Sequence, residues 1–222
     1  MIKLVAFDWN GTLFADTQAI LKAMNIIARS YGFKKISLLQ YQKTFEIPIS
    51  NFWVVNGFTK KSFEKEGENV QKIFIDSYEP LADECRTRSG TKEVLKELKK
   101  QKIQAIIYSN HTRLDIHRQV SRLKIDGHLL RILAREYGDH SHLHGRSKEK
   151  KLVQYIKEYK IKPKEVVTVG DTSEETEIGK KHGFATVAIT GGYSTVARLK
   201  KHKPDFLIHN MKELIGIIKK LN

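Results

Sequence analysis

Cysteine is almost missing from this chain: Cys85 stands alone among 222 residues, so no internal disulfide can form. A reducing, cytoplasmic setting is the expectation. Long apolar runs are also missing. None approaches the roughly 20 residues a membrane helix needs, and no membrane partner is expected. The opening, MIKLVAFDWNGTLF, lacks the basic start, apolar stretch and small-residue cleavage site of a secretion signal. Acidic residues are outnumbered, 25 against 40 Lys and Arg, which gives a formal charge of +15. Such a field attracts anions: phosphorylated metabolites, nucleic acid or acidic lipid. Aromatic residues interleaved with basic ones, the mark of a dedicated nucleic-acid surface, are not found. A nucleic-acid partner therefore rests on net charge alone. Much of the excess falls in KELKKQK (96–102) and RLKKHK (198–203), which read as solvated helix faces. Oligomeric state is not encoded in any feature of this kind.

What is present is a rhythm. IKLVAFD (2–8) reads as a buried strand, and DTQAILKAMNIIARSYG (16–32) as a helix with Asp16 as N-cap and Gly32 as stop. Residues 37–86 are helical and irregular, with scattered aromatics including Phe52, Trp53 and Phe58. From residue 90 onward helices alternate with the strands 103–108, 131–134, 165–170, 185–189 and 205–209. Alternation of this kind predicts a doubly wound parallel α/β sheet. The helical stretch interrupts it, so the expected organisation is a core of residues 1–15 and 89–222 with an inserted helical cap, 16–88.

Three strands end in polar residues: Asp8 in FDWNGT, Ser109-Asn110 in IIYSN, and Gly170-Asp171 in TVGDTSEE. Open parallel sheets bind ligands at the carboxyl ends of their strands. Each residue also has a plain structural reading. Asp8 and Asp171 suit caps or turns, Ser109 suits the cap of the next helix, and Gly11 and Gly170 suit turns. Together, two carboxylates and a hydroxyl at strand ends define a candidate site. Paired aspartates favour a bound cation, and oxygen ligands suit Mg²⁺. Lys148 offers compensating charge, although KEKK also reads as a solvated run and position does not separate it from Lys150 or Lys151.

This pattern resembles the haloacid dehalogenase superfamily. Asp8-Trp9-Asn10-Gly11-Thr12, Ser109-Asn110, Lys148, and Gly170-Asp171 with Glu175 (or its neighbour Glu174) match its four motifs in order. The insertion after the first motif resembles the helical cap of phosphoglycolate-phosphatase-like members. The resemblance implies a phosphatase acting on a small phosphorylated substrate, with Asp8 attacking phosphorus to form an aspartyl-phosphate. It implies Mg²⁺ held by Asp8, the Asn10 carbonyl and Asp171, with Glu175 or Glu174 in support. Ser109, the amides near Asn10 and Gly11, Thr12, Asn110 and Lys148 would contact the phosphoryl group. One position departs from the family: Asn10 stands where a second aspartate normally serves as general acid. An amide cannot shuttle protons at neutral pH, so the metal site is expected to survive while poor leaving groups turn over slowly. A weak phosphatase, a phosphoryl-binding regulatory protein and another superfamily reaction are the competing accounts. Dehalogenation fits poorly with the acids at 171 and 175, and Lys60, Lys61 and Lys65 show no pattern that marks a Schiff-base lysine.

Two further features stand out. His140, His142 and His144 alternate in REYGDHSHLHGR; they could hold zinc or nickel, or simply enrich a polar loop. Asn10-Gly11 is a dipeptide prone to deamidation, which would place an aspartate at the general-acid position.

Overall fold

The computed structural model describes residues 1–139 and 147–222. The histidine group at 140, 142 and 144 lies outside them. In chain order the elements are β1 (Leu4–Phe7), α1 (Thr17–Ser30), α2 (Leu38–Thr44), α3 (Ile49–Asn56), α4 (Lys60–Ala82) and α5 (Thr91–Lys100). Then come β2 (Gln104–Thr112), α6 (Arg113–Arg122), β3 (Arg131–Arg135), α7 (Lys148–Glu158), β4 (Val166–Gly170) and α8 (Ser173–His182). The chain finishes with β5 (Ala185–Ile189), α9 (Val196–Lys201), β6 (Phe206–Ile208) and α10 (Glu213–Leu221).

The six strands form one parallel sheet in the order β3-β2-β1-β4-β5-β6. Both faces are covered, which is why the strands read as continuous apolar runs rather than alternating ones. Leu4, Ala6, Ile106, Tyr108 and Val166 face α7 and α8 through Leu152, Tyr155, Ile156 and Ile178. Val5, Phe7, Ile107, Val167 and Val169 join the opposite core with Val94 and Leu98 of α5, Ile116 of α6 and Leu214 of α10. Strand β1 lies between β2 and β4, where the direction of strand progression reverses. That crevice is where ligands bind in sheets of this type.

Strand β2 runs four residues past the apolar segment, through Ser109-Asn110-His111 to Thr112, with a register irregularity between Tyr108 and Thr112. The pairing of Thr112 with Arg135 of β3 keeps this polar tail extended. Thr112, not Ser109, then caps α6 by accepting from the Asp115 amide.

Helices α1 to α4 leave and rejoin the sheet through two paired linkers. Phe14 bridges Thr87, Ala15 N donates to Arg86 O (2.9 Å), and Arg88 N donates to Leu13 O (2.9 Å). Phe52, Trp53 and Phe58 are buried in this helical layer and meet edge to face. Arg198 of α9 ties it to the sheet side by donating to Phe45 O (2.7 Å) and Gln42 O (3.1 Å). The basic runs do present exposed lysines, at 96, 99 and 100 and at 200, 201 and 203. Among the described residues no helix is long and apolar enough to cross a membrane.

Candidate active site

Asp8 follows β1 directly, and its amide donates to Val169 O of β4 (2.9 Å), which fixes it at the reversal point of the sheet. It is buried, as is Lys148 at the first turn of α7. The Lys148 ammonium lies 3.2 Å from Asp8 Oδ1 and 3.1 Å from Glu174 Oε2, contacts Glu175 Oε1, and sits 5.1 Å from the centre of the Tyr108 ring. Lys150 is not part of this group, and Lys151 donates to Ala134 O instead. The structure thus separates Lys148 from its neighbours where position in the sequence does not.

Asp171 follows β4 and is fully buried. Thr12 Oγ1 donates to its Oδ1 (2.7 Å), and the Tyr193 amide donates to its Oδ2 (2.5 Å). The Thr12 hydroxyl therefore positions Asp171, whereas the resemblance assigns it to the phosphoryl group. Glycines make the cradle: a Cβ at Gly11 (φ +69°) or at Gly192 would overlap the Asp171 carboxylate. Glu175 has a second task besides Lys148. Its Oε2 accepts from Thr172 Oγ1 (2.6 Å) and Thr172 N (3.2 Å), closing a capping box at the start of α8.

The Asn10 side-chain amide is engaged on the α1–α4 side of the site. Nδ2 donates to Asp16 Oδ2 (2.8 Å) and to the Tyr78 hydroxyl (2.7 Å). Asp16 is fully buried and makes no side-chain cap to α1. It accepts instead from Tyr78 OH (2.5 Å), Tyr193 OH (2.6 Å) and the Gly11 amide (2.8 Å). The Gly11 N–H, which the resemblance assigns to the phosphoryl group, donates to Asp16 in this structure. Burial raises the Asp16 pKa, and the hydrogen bonds from Tyr193, Tyr78, Asn10 and Gly11 oppose that rise.

Ser109 is buried and accepts from the His111 amide (3.1 Å), leaving its own proton to point elsewhere. Asn110 Nδ2 donates to Glu174 Oε2 (2.9 Å), and Asn110 O accepts from the buried Arg135. A cavity of ≈ 830 Å³, part of it open to solvent, joins these groups. Asp8, Asn10, Ser109, Asn110, Lys148 and Glu174 line its floor, and residues of α1 to α4 line its roof.

The electrostatics leave negative charge in excess. Asp8, Glu174 and Glu175 surround one ammonium, while Asp171 lies beyond it and senses Glu175 and Arg88. Burial alone would lower the Lys148 pKa, but the carboxylates of Asp8, Glu174 and Glu175 outweigh it and hold it well above the usual lysine range. Burial pushes Asp8 up; Lys148 opposes the rise, and Glu175 and Asp171 add to it. Lys148 is charged and Asp8 is crowded by like charge, since one ammonium cannot neutralise the three carboxylates that meet it. Asp171 is pushed up to about 7 by burial and then by Glu175, against the pull of the Tyr193 amide, Thr12 and the Arg88 charge. A cluster of hard oxygen donors in charge excess fits a small divalent cation such as Mg²⁺.

The residues singled out from strand ends do converge, and four others join them unannounced. Asp16, Tyr193, Arg135 and Arg88, which donates to Gly11 O (2.6 Å), all brace the site. Beside it, Glu79 of α4 meets His111 of β2 and Asp115 of α6. Glu79 Oε1 lies 3.3 Å from His111 Nε2, and Glu79 Oε2 lies 2.8 Å from the Arg118 guanidinium.

Comparison with known proteins extends this geometry. The Bacillus cereus pyrophosphatase PpaX is 24% identical over 224 residues, spanning 100% of this chain and 98% of that one. A predicted phosphatase from Clostridium acetobutylicum superposes with a TM-score of 0.83 at 16% identity, covering 99% of each chain. A predicted phosphoglycolate phosphatase from Haemophilus somnus does so with a TM-score of 0.74 at 18% identity, covering 98% of each. Residues 5–189, which include Asp8, Ser109, Lys148, Asp171 and Glu175, match the family of haloacid dehalogenase-like hydrolases, and the chain belongs to that family.

Proposed function

We propose that this hydrolase is a Mg²⁺-dependent phosphatase acting on a phosphomonoester, with Asp8 as the nucleophile. The observation that carries the reading is the placement of Asp8: buried at the reversal point of the sheet, 3.2 Å from the Lys148 ammonium, and open to the cavity shared with Ser109. Asp8 attacks phosphorus and an aspartyl-phosphate forms; water then releases phosphate and restores the carboxylate. Ser109 and Lys148 hold the phosphoryl oxygens, so the chain acts chiefly by positioning and electrostatics. Asp8, the Asn10 carbonyl and Asp171 would hold Mg²⁺, with Glu175 in support through Lys148 and the α8 cap. Bound there, the ion supplies charge that offsets repulsion between the nucleophile and the phosphoryl oxygens. Residues 16–88 serve as the cap that encloses the substrate.

Asn10 sets the limit on turnover. Its amide is engaged with Asp16 and Tyr78 and has no proton to give. The test is phosphate release from nitrophenyl phosphate, with Mg²⁺ and with chelator, by wild type and Asp8→Asn. Mg²⁺-dependent release that Asp8→Asn abolishes supports the reading; release that survives Asp8→Asn overturns it. The same engaged amide favours one second reading, a phosphoryl-binding protein with a regulatory role. Silent wild type that gains turnover as Asn10→Asp would select that alternative.

A further inference from the structure

The cavity over Asp8 has two chemically different ends. Its floor carries the charged groups described above. Its roof is almost wholly hydrocarbon: Ile20 and Met24 of α1, Phe45 between α2 and α3, Trp53 of α3, and Val70 and Phe74 of α4. Gln71 supplies an amide there, and the Tyr78 hydroxyl is already committed to Asp16. Among the described lining residues the cations are Lys148 and Arg135, both on the floor. The cavity continues from the floor up to these apolar side chains and opens in part to solvent, so it reaches past the place of a phosphoryl group.

We infer that the group carried by the phosphoryl is an apolar ring or chain on a weakly basic oxygen, as in an aryl ester or an aroyl phosphate. This rests on the phosphatase reading above and narrows it. A second phosphate, as in pyrophosphate, would stand among Met24, Trp53 and Phe74 without a cation from the described residues, and an unpaired buried charge is strongly disfavoured. A sugar would leave several hydroxyls unpaired for the same reason. An apolar ring instead gains from leaving water. The weak basicity follows from Asn10. When an Asp8 oxygen bonds to phosphorus, the bond from phosphorus to the departing oxygen breaks and its electron pair stays on that oxygen. With no acid at position 10, the oxygen leaves as an anion and takes its proton from solvent. Water then attacks the aspartyl-phosphate, the phosphorus–Asp8 oxygen bond breaks, and the water proton passes to the phosphate and solvent.

Two pairs of probes test this on the full chain with Mg²⁺. Calorimetry compares benzylphosphonate with methylphosphonate, which differ in the ring and need no turnover. Kinetics compares benzoyl phosphate with acetyl phosphate, whose leaving groups are alike in basicity, and p-nitrophenyl phosphate serves as the aryl arm beside pyrophosphate. We expect the ring to improve both Kd and kcat/KM by about tenfold or more, and p-nitrophenyl phosphate to exceed pyrophosphate. Phe74→Ala should narrow the benzoyl-to-acetyl ratio, a quantity independent of how much of the variant is folded. Equal affinity for the two phosphonates, or preference for pyrophosphate, overturns the apolar assignment and leaves the phosphatase reading standing if Asp8→Asn is inactive. Failure of both phosphonates and of inorganic phosphate to bind overturns both.

Discussion

At position 10 a single atom pair decides what the site can do. An aspartate there would sit within 3 Å of Asp16, because the amide nitrogen it replaces is 2.8 Å from Asp16 Oδ2. A half-buried carboxyl at position 10 and the buried Asp16 carboxyl at that range would share a proton, and one would acquire a raised pKa. Asn10→Asp is therefore expected to hold a usable proton near neutrality and to speed release of alkyl leaving groups by about 10²–10⁴. Phosphate release from an alkyl and an aryl ester, measured side by side, checks this; equal gains on both would argue against acid catalysis. The same contacts protect Asn10 from deamidation. That reaction needs the Gly11 nitrogen to attack the Asn10 side chain, and Asp16 Oδ1 holds the Gly11 N–H at 2.8 Å. Intact-mass spectra should show conversion to aspartate much faster in denaturant than in the folded protein. A third residue-scale expectation concerns Gly192→Ala. Its Cβ must displace the Asp171 carboxylate, so Mg²⁺-dependent activity should fall by at least about tenfold while the circular dichroism spectrum stays that of the wild type. Asp8, Ser109 and Asp171 were legible in the sequence because each ends an apolar run. Asp16 was not, because an aspartate before a threonine and an apolar periodic stretch looks like any helix cap. Tyr193 lies in a Gly-Gly-Tyr-Ser loop whose long-range contact, 177 residues back to Asp16, has no local signature.

Between elements, the contact of α4 with β2 and α6 carries its own pH response. Burial, followed by Asp115, raises Glu79 from 4.5 to about 8; Asp83 and Asp16 add to this, and Arg118 opposes it without prevailing. Burial lowers His111 from 6.5 to about 4, with Asp115 opposing and Arg135 and Arg118 adding. For Glu79 the folded pKa lies above the unfolded one. Its contribution to stability is whole below about 4.5 and is lost as pH rises toward about 8. His111 works the other way: its contribution is whole above about 6.5 and is lost as pH falls toward about 4. Glu79→Gln should therefore raise Tm relative to wild type increasingly as pH goes from about 5 to 8, and a constant offset across that range would refute the assignment. At this scale the strands were well read, since runs such as VVTVG buried on both faces have one plausible form. The polar tail of β2 was not, because the pairing that extends it, Thr112 with Arg135, is made between strands and has no local signature.

For the whole molecule, the alternation of strands and helices after residue 90 was enough to anticipate a parallel sheet, and the interruption before it marked the helical layer. The shape of the cavity beneath that layer was not legible, because residues such as Ile20, Trp53 and Phe74 read equally as core and as cavity wall. Net charge of +15 acts over the whole surface rather than at one site. The KM for an anionic substrate should rise between low and physiological salt, as screening shortens the reach of that field. An unchanged KM would confine recognition to the buried floor. The linkers paired at Phe14–Thr87 bring the two ends of the helical layer together beside the sheet. Tyr78 belongs to α4, while Asn10 and Asp16, its two hydrogen-bond partners, lie in the segment between β1 and α1. A displacement of α4 away from the sheet would therefore break both hydrogen bonds at once, so the cavity roof and the surroundings of Asn10 are tied through one phenol.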